Sequence, residues 1–194
     1  KKLTTEINAL ETELEEIKNN RIYENAFEWR FEFPEVLNDE GDFIGFDVVI
    51  GNPPYIRQEE FLEIKPYLSD HFQVFSGTAD LYTYFVELGV NLLKPKGKFI
   101  FIIPNKWMRA GYGLKLRQFI KGNAIHSILD FGDLPVFEEA TTYPCILQLS
   151  KDEPVTSIEA VNLRTLDFPV GMDAYLETNN MKVLSSDLHD EGWA

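Results

Sequence analysis

The sequence is poor in several things, and each scarcity closes off a class of protein. It has a single cysteine, Cys145, among 194 residues, so no internal disulfide framework holds it and a reducing compartment, the cytoplasm by default, is expected. It has no long hydrophobic run. The most apolar stretch, Phe99 to Pro104, falls far short of the roughly 20 residues that cross a bilayer, so no membrane partner is expected. It is also short of positive charge: 18 Lys and Arg stand against 32 Asp and Glu, a formal net charge of -14. A protein that grips nucleic acid unaided carries a basic footprint, because neutralising phosphates supplies much of its affinity. This stretch alone is therefore expected to hold a duplex poorly: either it does not bind nucleic acid, or the basic surface lies in another part of a longer protein.

What is present belongs to a globular domain. Apolar residues make up 44% and aromatic residues 13%, enough to build a core. Residues 1–25 read as a helical arm: Leu3, Ile7, Leu10, Leu14 and Ile17 alternate by four and three, a seam that packs either on its own domain or on a second copy. Phe27 to Phe33 alternates aromatic and charged residues, the period of a half-buried strand. Pro34 closes it, and Asn38-Asp39-Glu40-Gly41 reads as a turn.

From Phe46 onward the pattern is α/β. Phe46 to Ile50 is a short strand stopped by Gly51 and by Pro53 and Pro54. Leu81, Phe85, Leu88 and Leu92 repeat at helical spacing, with Asp80 or Thr78 available as a cap and Lys94 to Gly97 as the stop. Lys98 to Ile103 is a continuous apolar run, the mark of a parallel strand buried on both faces. A helix is expected over Gly113 to Lys121, ended by Gly122-Asn123, then strands at Ile125 to Phe131, Tyr143 to Ser150 and Ser157 to Leu163. The alternation predicts a doubly wound sheet. The last thirty residues carry little signal, and no internal repeat is present.

The chemistry-bearing segment is Asn52-Pro53-Pro54-Tyr55, delivered by an apolar strand to its carboxyl end, where open α/β sheets place ligands. Two prolines remove backbone donors and leave carbonyls that can only accept hydrogen bonds. The Asn52 carboxamide oxygen is another acceptor, and Tyr55 offers a flat face. Acceptors beside a stacking surface suit a planar guest with an amino group. Other groupings are weaker. Glu63-Ile64-Lys65 has the spacing of many nucleases but no metal-binding Asp on a strand upstream, and His71, His126 and His189 are scattered. No metal site is expected. Cys145 reads as a core residue, and Lys106 and Trp107 are candidates for the pocket rim, with Trp107 also reading as a core residue.

This loop resembles the catalytic motif of S-adenosylmethionine-dependent amino methyltransferases. Residues 27 to about 150 resemble the core of adenine-specific DNA methyltransferases of restriction-modification systems, notably the single-chain kind that fuses cleavage and methylation. The supporting stretches are Phe27-x-Trp29, Phe33-Pro34-Glu35, Asp80-Leu81-Tyr82 with Phe85, Pro104-Asn105-Lys106-Trp107 and Val136-Phe137.

The resemblance implies a partial Rossmann-like sheet over residues 26–155, followed by a tail, 156–194, leading toward a target-recognition region. It assigns catalysis to Asn52, Pro53, Pro54 and Tyr55, base stacking to Tyr55 and Phe137, and cofactor contacts to Asp80 and Tyr82. Phe137 also reads as a core aromatic, Asp80 as a cap and Tyr82 as a core residue. The cofactor implied is S-adenosylmethionine and the partner double-stranded DNA. The family's Gly-rich cofactor turn has no counterpart, since only Gly41, Gly45 and Gly51 precede Asn52. That turn is expected upstream of residue 1, and the isolated chain is expected to be inactive and not to retain the cofactor. Phe46 to Ile50, pairing in the family with the cofactor-binding strand, is then expected to be an edge. The Phe27 to Phe33 strand, the N-terminal helix or self-association with a second copy would cover it. A protein-glutamine methyltransferase, an RNA guanine-amino methyltransferase and a non-catalytic interaction module remain as alternatives.

Overall fold

The computed structural model describes residues 7, 10–12, 27, 29–137 and 142–193. They fall into two compact units, Lys1–Ile44 and Gly45–Ala194.

In the first unit Ile7 and residues 10–12 are helical, with Ile7 and Leu10 exposed. Leu3, Leu14 and Ile17 of the expected seam lie outside the described residues. The strand expected over Phe27 to Phe33 is not formed. Trp29–Glu32 is instead a single helical turn, α1, followed by a 3-10 turn at Pro34–Val36. Period-two alternation makes a strand only where a neighbouring strand takes its hydrogen bonds, and among the described strands none pairs with this segment. Pro34, whose fixed φ suits a helical first turn, starts the 3-10 turn. The Phe27 and Phe33 rings lie 6.3 Å apart. The Asn38–Gly41 turn forms as its composition demands: Asn38 Oδ1 accepts the Asp42 N–H at 2.7 Å, and Gly41 takes φ +86, a conformation that favours glycine.

The second unit is a six-stranded sheet with helices. In chain order its elements are β1 (Phe46–Gly51), α2 (Lys65–His71), α3 (Tyr82–Asn91), β2 (Leu93–Pro104), α4 (Leu114–Lys121), β3 (Ala124–Asp130), β4 (Pro144–Ser150), β5 (Ser157–Asn162), α5 (Met172–Asn179) and β6 (Met181–Leu184). The spatial order is β1-β2-β4-β3-β5-β6. β1 and β2 are parallel, as are β3 and β5, whereas β4 runs antiparallel to both β2 and β3, and β6 to β5. The β2 strand, expected to be a parallel one, is therefore parallel on one side only. Parallel neighbours need a crossover, usually helical. Between β3 and β4 the described residues contain no helix, so β4 returns antiparallel and slots between β2 and β3. The tail residues, where the sequence carried little signal, add α5 and β6 to the same sheet.

Alternation sorts the sheet's two faces. Phe99, Phe101, Ile103, Cys145, Leu147 and Leu149 pack with Tyr82, Val86 and Val90 of α3 and Leu116 and Ile120 of α4. On the other face Leu129 and Val161 pack with Met172, Tyr175 and Leu176 of α5. Among the described strands β1 lies at the sheet's edge, as the resemblance implied, with Val48 53% and Ile50 72% exposed.

In α3 the expected stripe of Leu81, Phe85, Leu88 and Leu92 is not the buried one. Tyr82, Val86 and Val90 take the core, while Leu88 is 42% exposed. The helix is apolar on most sides, so spacing alone could not choose its inner face. It approaches the sheet closely at Gly89, where a Cβ would stand 2.7 Å from the Phe99 ring.

Two buried charges tie loops to helices. The Glu87 carboxylate accepts the backbone N–H of Gln73 at 3.2 Å and of Val74 at 2.9 Å. The Arg117 guanidinium donates to the carbonyls of Trp107, Ala110 (3.0 Å) and Asp190 (3.0 and 2.7 Å). It thus pins the tail beside Trp107, whose ring packs edge-on against Trp193 at 5.2 Å. Removing the Glu87 acceptor leaves two N–H groups without partners, one of them on fully buried Val74. Glu87→Ala is expected to cost about 2–4 kcal/mol, read as a lower urea midpoint in equilibrium unfolding of the purified chain.

Candidate active site

β1 and β2 run parallel, and their pairing ends with Gly51 opposite Phe101. The chain leaves the sheet there as Asn52-Pro53-Pro54-Tyr55, with Pro53 buried and Asn52 and Pro54 exposed. The Tyr55 hydroxyl takes up where the pairing stops, donating to the Ile102 carbonyl of β2 at 3.0 Å. Among the described residues no hydrogen bond engages the Asn52 carboxamide or the carbonyls of Pro53 and Pro54. These acceptors are held in place and left open.

Aromatic rings gather around Tyr55. Tyr82 meets it edge-on at 6.5 Å and Phe137 at 6.2 Å. Three rings from three separate segments thus meet at the carboxyl end of β1. Burial pushes the Tyr55 phenol up to about 12, with a smaller contribution from nearby Cys145, so the hydroxyl stays protonated and keeps donating.

The start of α3 clamps the chain just beyond the loop. The Leu81 N–H donates to the Ile56 carbonyl at 3.0 Å, and Asp80 Oδ1 accepts the Gln58 N–H at 3.2 Å. Asp80 therefore does not cap α3, whose amino end has no side-chain cap; the connecting loop takes its oxygen instead. Burial raises the Asp80 carboxyl, opposed first by the Gln58 N–H and then by the charges of Lys106 and Arg57. Tyr82 is fully buried, with its hydroxyl 3.0 Å from that of Tyr112.

The carboxyl end of β2 forms the adjoining wall. The Asn105 N–H donates to the Tyr143 carbonyl at 2.7 Å, and its side-chain amide donates to Asp130 Oδ1 at 2.8 Å. The same Asp130 oxygen accepts the Gly132 N–H at 3.0 Å, fastening the start of the loop that carries Phe137. Lys106 is exposed on the rim. Trp107 is wholly buried, so it is core, and among the described residues its indole N–H has no hydrogen-bond partner. Burial pushes the Cys145 thiol far up.

Asp130 and Tyr112 escaped the sequence reading. An Asp at a strand end before a glycine is a legible turn signal, but nothing in the sequence shows that it reaches Asn105. Tyr112 had no signal beyond its aromatic character. Among the described residues no group of His, Cys, Asp and Glu could hold a metal ion.

A mixed sheet whose first strand ends in open acceptors under an aromatic cluster makes a site that suits a planar guest with hydrogen-bond donors. The fold agrees with solved structures. One is a putative class I S-adenosylmethionine-dependent methyltransferase from Listeria monocytogenes, with TM-score 0.54, 23% identity, 69% of this chain and 41% of that one. Another is the type IIG restriction endonuclease BpuSI, with TM-score 0.58, 17% identity, 76% of this chain and 20% of that one.

Residues 1–137 match the family described as Eco57I restriction-modification methylase, and the chain belongs to that family. It is 34% identical over 112 residues to the type II restriction enzyme and methyltransferase RM.Eco57I of Escherichia coli, covering 55% of this chain and 11% of the relative. It is 34% identical over 141 residues to the type II methyltransferase M.BstVI of Geobacillus stearothermophilus, covering 70% of this chain and 25% of the relative. The chain thus spans a quarter or less of the length of these relatives.

The Tyr55 shift has a measurable sign. With the folded phenol near 12 against an ordinary value of 10.0, the folded state holds its proton more tightly than the unfolded state. The stabilisation is complete below pH 10 and is lost as pH rises toward 12. Tyr55→Phe is expected to flatten the alkaline fall of stability between those values, followed by denaturant midpoints across the range.

Proposed function

We propose that the protein carrying this chain transfers the methyl group of S-adenosylmethionine to the exocyclic amino group of adenine in double-stranded DNA, within a restriction-modification system. The observation that carries this reading is the set of uncommitted acceptors at Asn52 and Pro53 beside the Tyr55–Phe137 ring pair. The Asn52 carboxamide oxygen and the Pro53 carbonyl accept the two amino hydrogens. Those bonds favour a more tetrahedral nitrogen and aim its lone pair at the donor, so catalysis is positioning and electrostatics without a covalent enzyme intermediate. The amino group of a stacked base cannot be reached, so the adenine is first flipped out of the duplex. Tyr55, its hydroxyl occupied on Ile102, offers the flipped base a ring face, and Phe137 closes the pocket from the opposite loop.

Two aromatic rings favour a planar heterocycle over a glutamine side chain, which speaks against the protein-glutamine alternative. S-adenosylmethionine supplies, when bound, an electrophilic methyl on a sulfonium. Of the described residues Asp80 suits its polar groups best: it is partly buried and has one oxygen without a hydrogen-bond partner. Tyr82 backs Tyr55 from the core side. The described strands β1, β2 and β3 lead into Asn52-Pro53, Asn105 and Phe131-Gly132, none a Gly-rich cradle, so on this reading the described residues do not compose a complete donor site. Titration calorimetry of the isolated chain is expected to show no micromolar binding of S-adenosylmethionine.

The reading is tested in the natural polypeptide that contains these residues. Asn52→Ala is expected to lower methyl transfer by about 10²–10³-fold, as for loss of one well-placed polar partner of the reacting group, with duplex binding preserved. Mass spectrometry of DNA nucleosides reads the product. A methylated glutamine or guanine in place of N6-methyladenine would overturn the proposal.

A further inference from the structure

Two cations on the rim have no part in the proposed chemistry. Arg57 follows Tyr55 by two residues and precedes the 3-10 turn Gln58–Ile64. Lys106 stands two residues past Pro104, where β2 ends. Both are exposed, and among the described residues neither side chain makes a hydrogen bond or an ion pair. The ion pairs described are Lys94–Asp47 and Lys121–Asp190. Both cations act electrostatically on Asp80, so they approach one point at the start of α3 from the ends of two adjacent strands.

Their backbones are fixed while their charged heads are free. The residue after Arg57 is bound to Asp80 through its N–H, and the residue before Lys106 is held by Tyr143 and Asp130. In a chain of net charge -14, with Glu59 and Asp80 close by, unpaired cations at the mouth of the site lower the local barrier to a polyanion. Anchored stems with free cationic heads suit phosphate groups, which take a point charge or a guanidinium fork without demanding one geometry.

We infer that Arg57 and Lys106 grip the sugar–phosphate backbone of the strand from which the target base is turned out, on either side of the extruded nucleotide. The inference rests on the DNA methyltransferase reading above. Such contacts position the strand and carry no sequence information.

The test measures duplex affinity against salt concentration for the natural polypeptide and its Arg57→Gln, Lys106→Gln and double variants. Each single change is expected to reduce the slope of log affinity against log salt by about 0.9, and the double change by about twice that. Arg57→Lys keeps the wild-type slope. In steady state the glutamine variants raise KM for DNA, while kcat and the KM for S-adenosylmethionine stay near wild type. Unchanged slopes in all the glutamine variants, or a raised KM for S-adenosylmethionine alone, would overturn the inference while leaving the functional reading intact. A wild-type protein that neither binds the duplex nor methylates it would remove both.

Discussion

The position of β2 between a parallel and an antiparallel neighbour governs the candidate site. Because β1 runs with β2 and β4 runs against it, the end of β1, the end of β2 and the start of β4 all fall at one end of the sheet. β3, antiparallel to β4, brings its own carboxyl terminus to that end. Asn105, Asp130 and Tyr143, far apart in sequence, become neighbours there, and Asn52 leaves the sheet at the same end. The apolar interior of β2 makes this arrangement rigid, since Phe99, Phe101 and Ile103 are buried against α3 and α4.

On that frame a few polar ties set the loops. Asp130 holds both Asn105 and the turn at Gly132 with one oxygen, linking the β2 wall to the loop that presents Phe137. Asp80 and Leu81 hold Ile56 and Gln58, so the start of α3 sets the exit path of the Asn52–Tyr55 loop. Arg117 gathers three carbonyls around Trp107 and the tail. A charge-assisted hydrogen bond in a half-buried setting is worth about 1.5–3 kcal/mol, enough for single side chains to decide where a loop lies.

The most legible parts of the sequence were those in which a local pattern and the tertiary environment agree. The apolar run of β2, the Asn52–Tyr55 loop after a strand, and the Gly122-Asn123 stop of α4 each appear where their composition places them. Reading failed where the pattern needed a partner that the sequence does not name. Phe27 to Phe33 alternates like a strand, yet Trp29–Glu32 turns as a helix, and among the described strands none lies beside it. The inner face of α3 could not be chosen because its residues are apolar on most sides. Asp80 had the composition of a cap, but the N–H of Gln58 competes for its oxygen. The resemblance assigned Tyr55 and Phe137 to one base-stacking role, but nothing in the sequence spacing shows that their rings meet. The link between Asp130 and Asn105 was invisible because it depends on the antiparallel insertion of β4.

The hydrogen bond from Tyr55 to the Ile102 carbonyl also bears on entropy. A ring free to rotate would lose that freedom when a guest arrives, at a cost of about 0.5–1.5 kcal/mol for an immobilised side chain. Here the hydroxyl is fastened and the ring edges are lodged against Tyr82 and Phe137, so that ordering is completed during folding. On the proposed reading the Tyr55 ring is a preorganised face, and more of its contact energy with a planar guest remains available for binding.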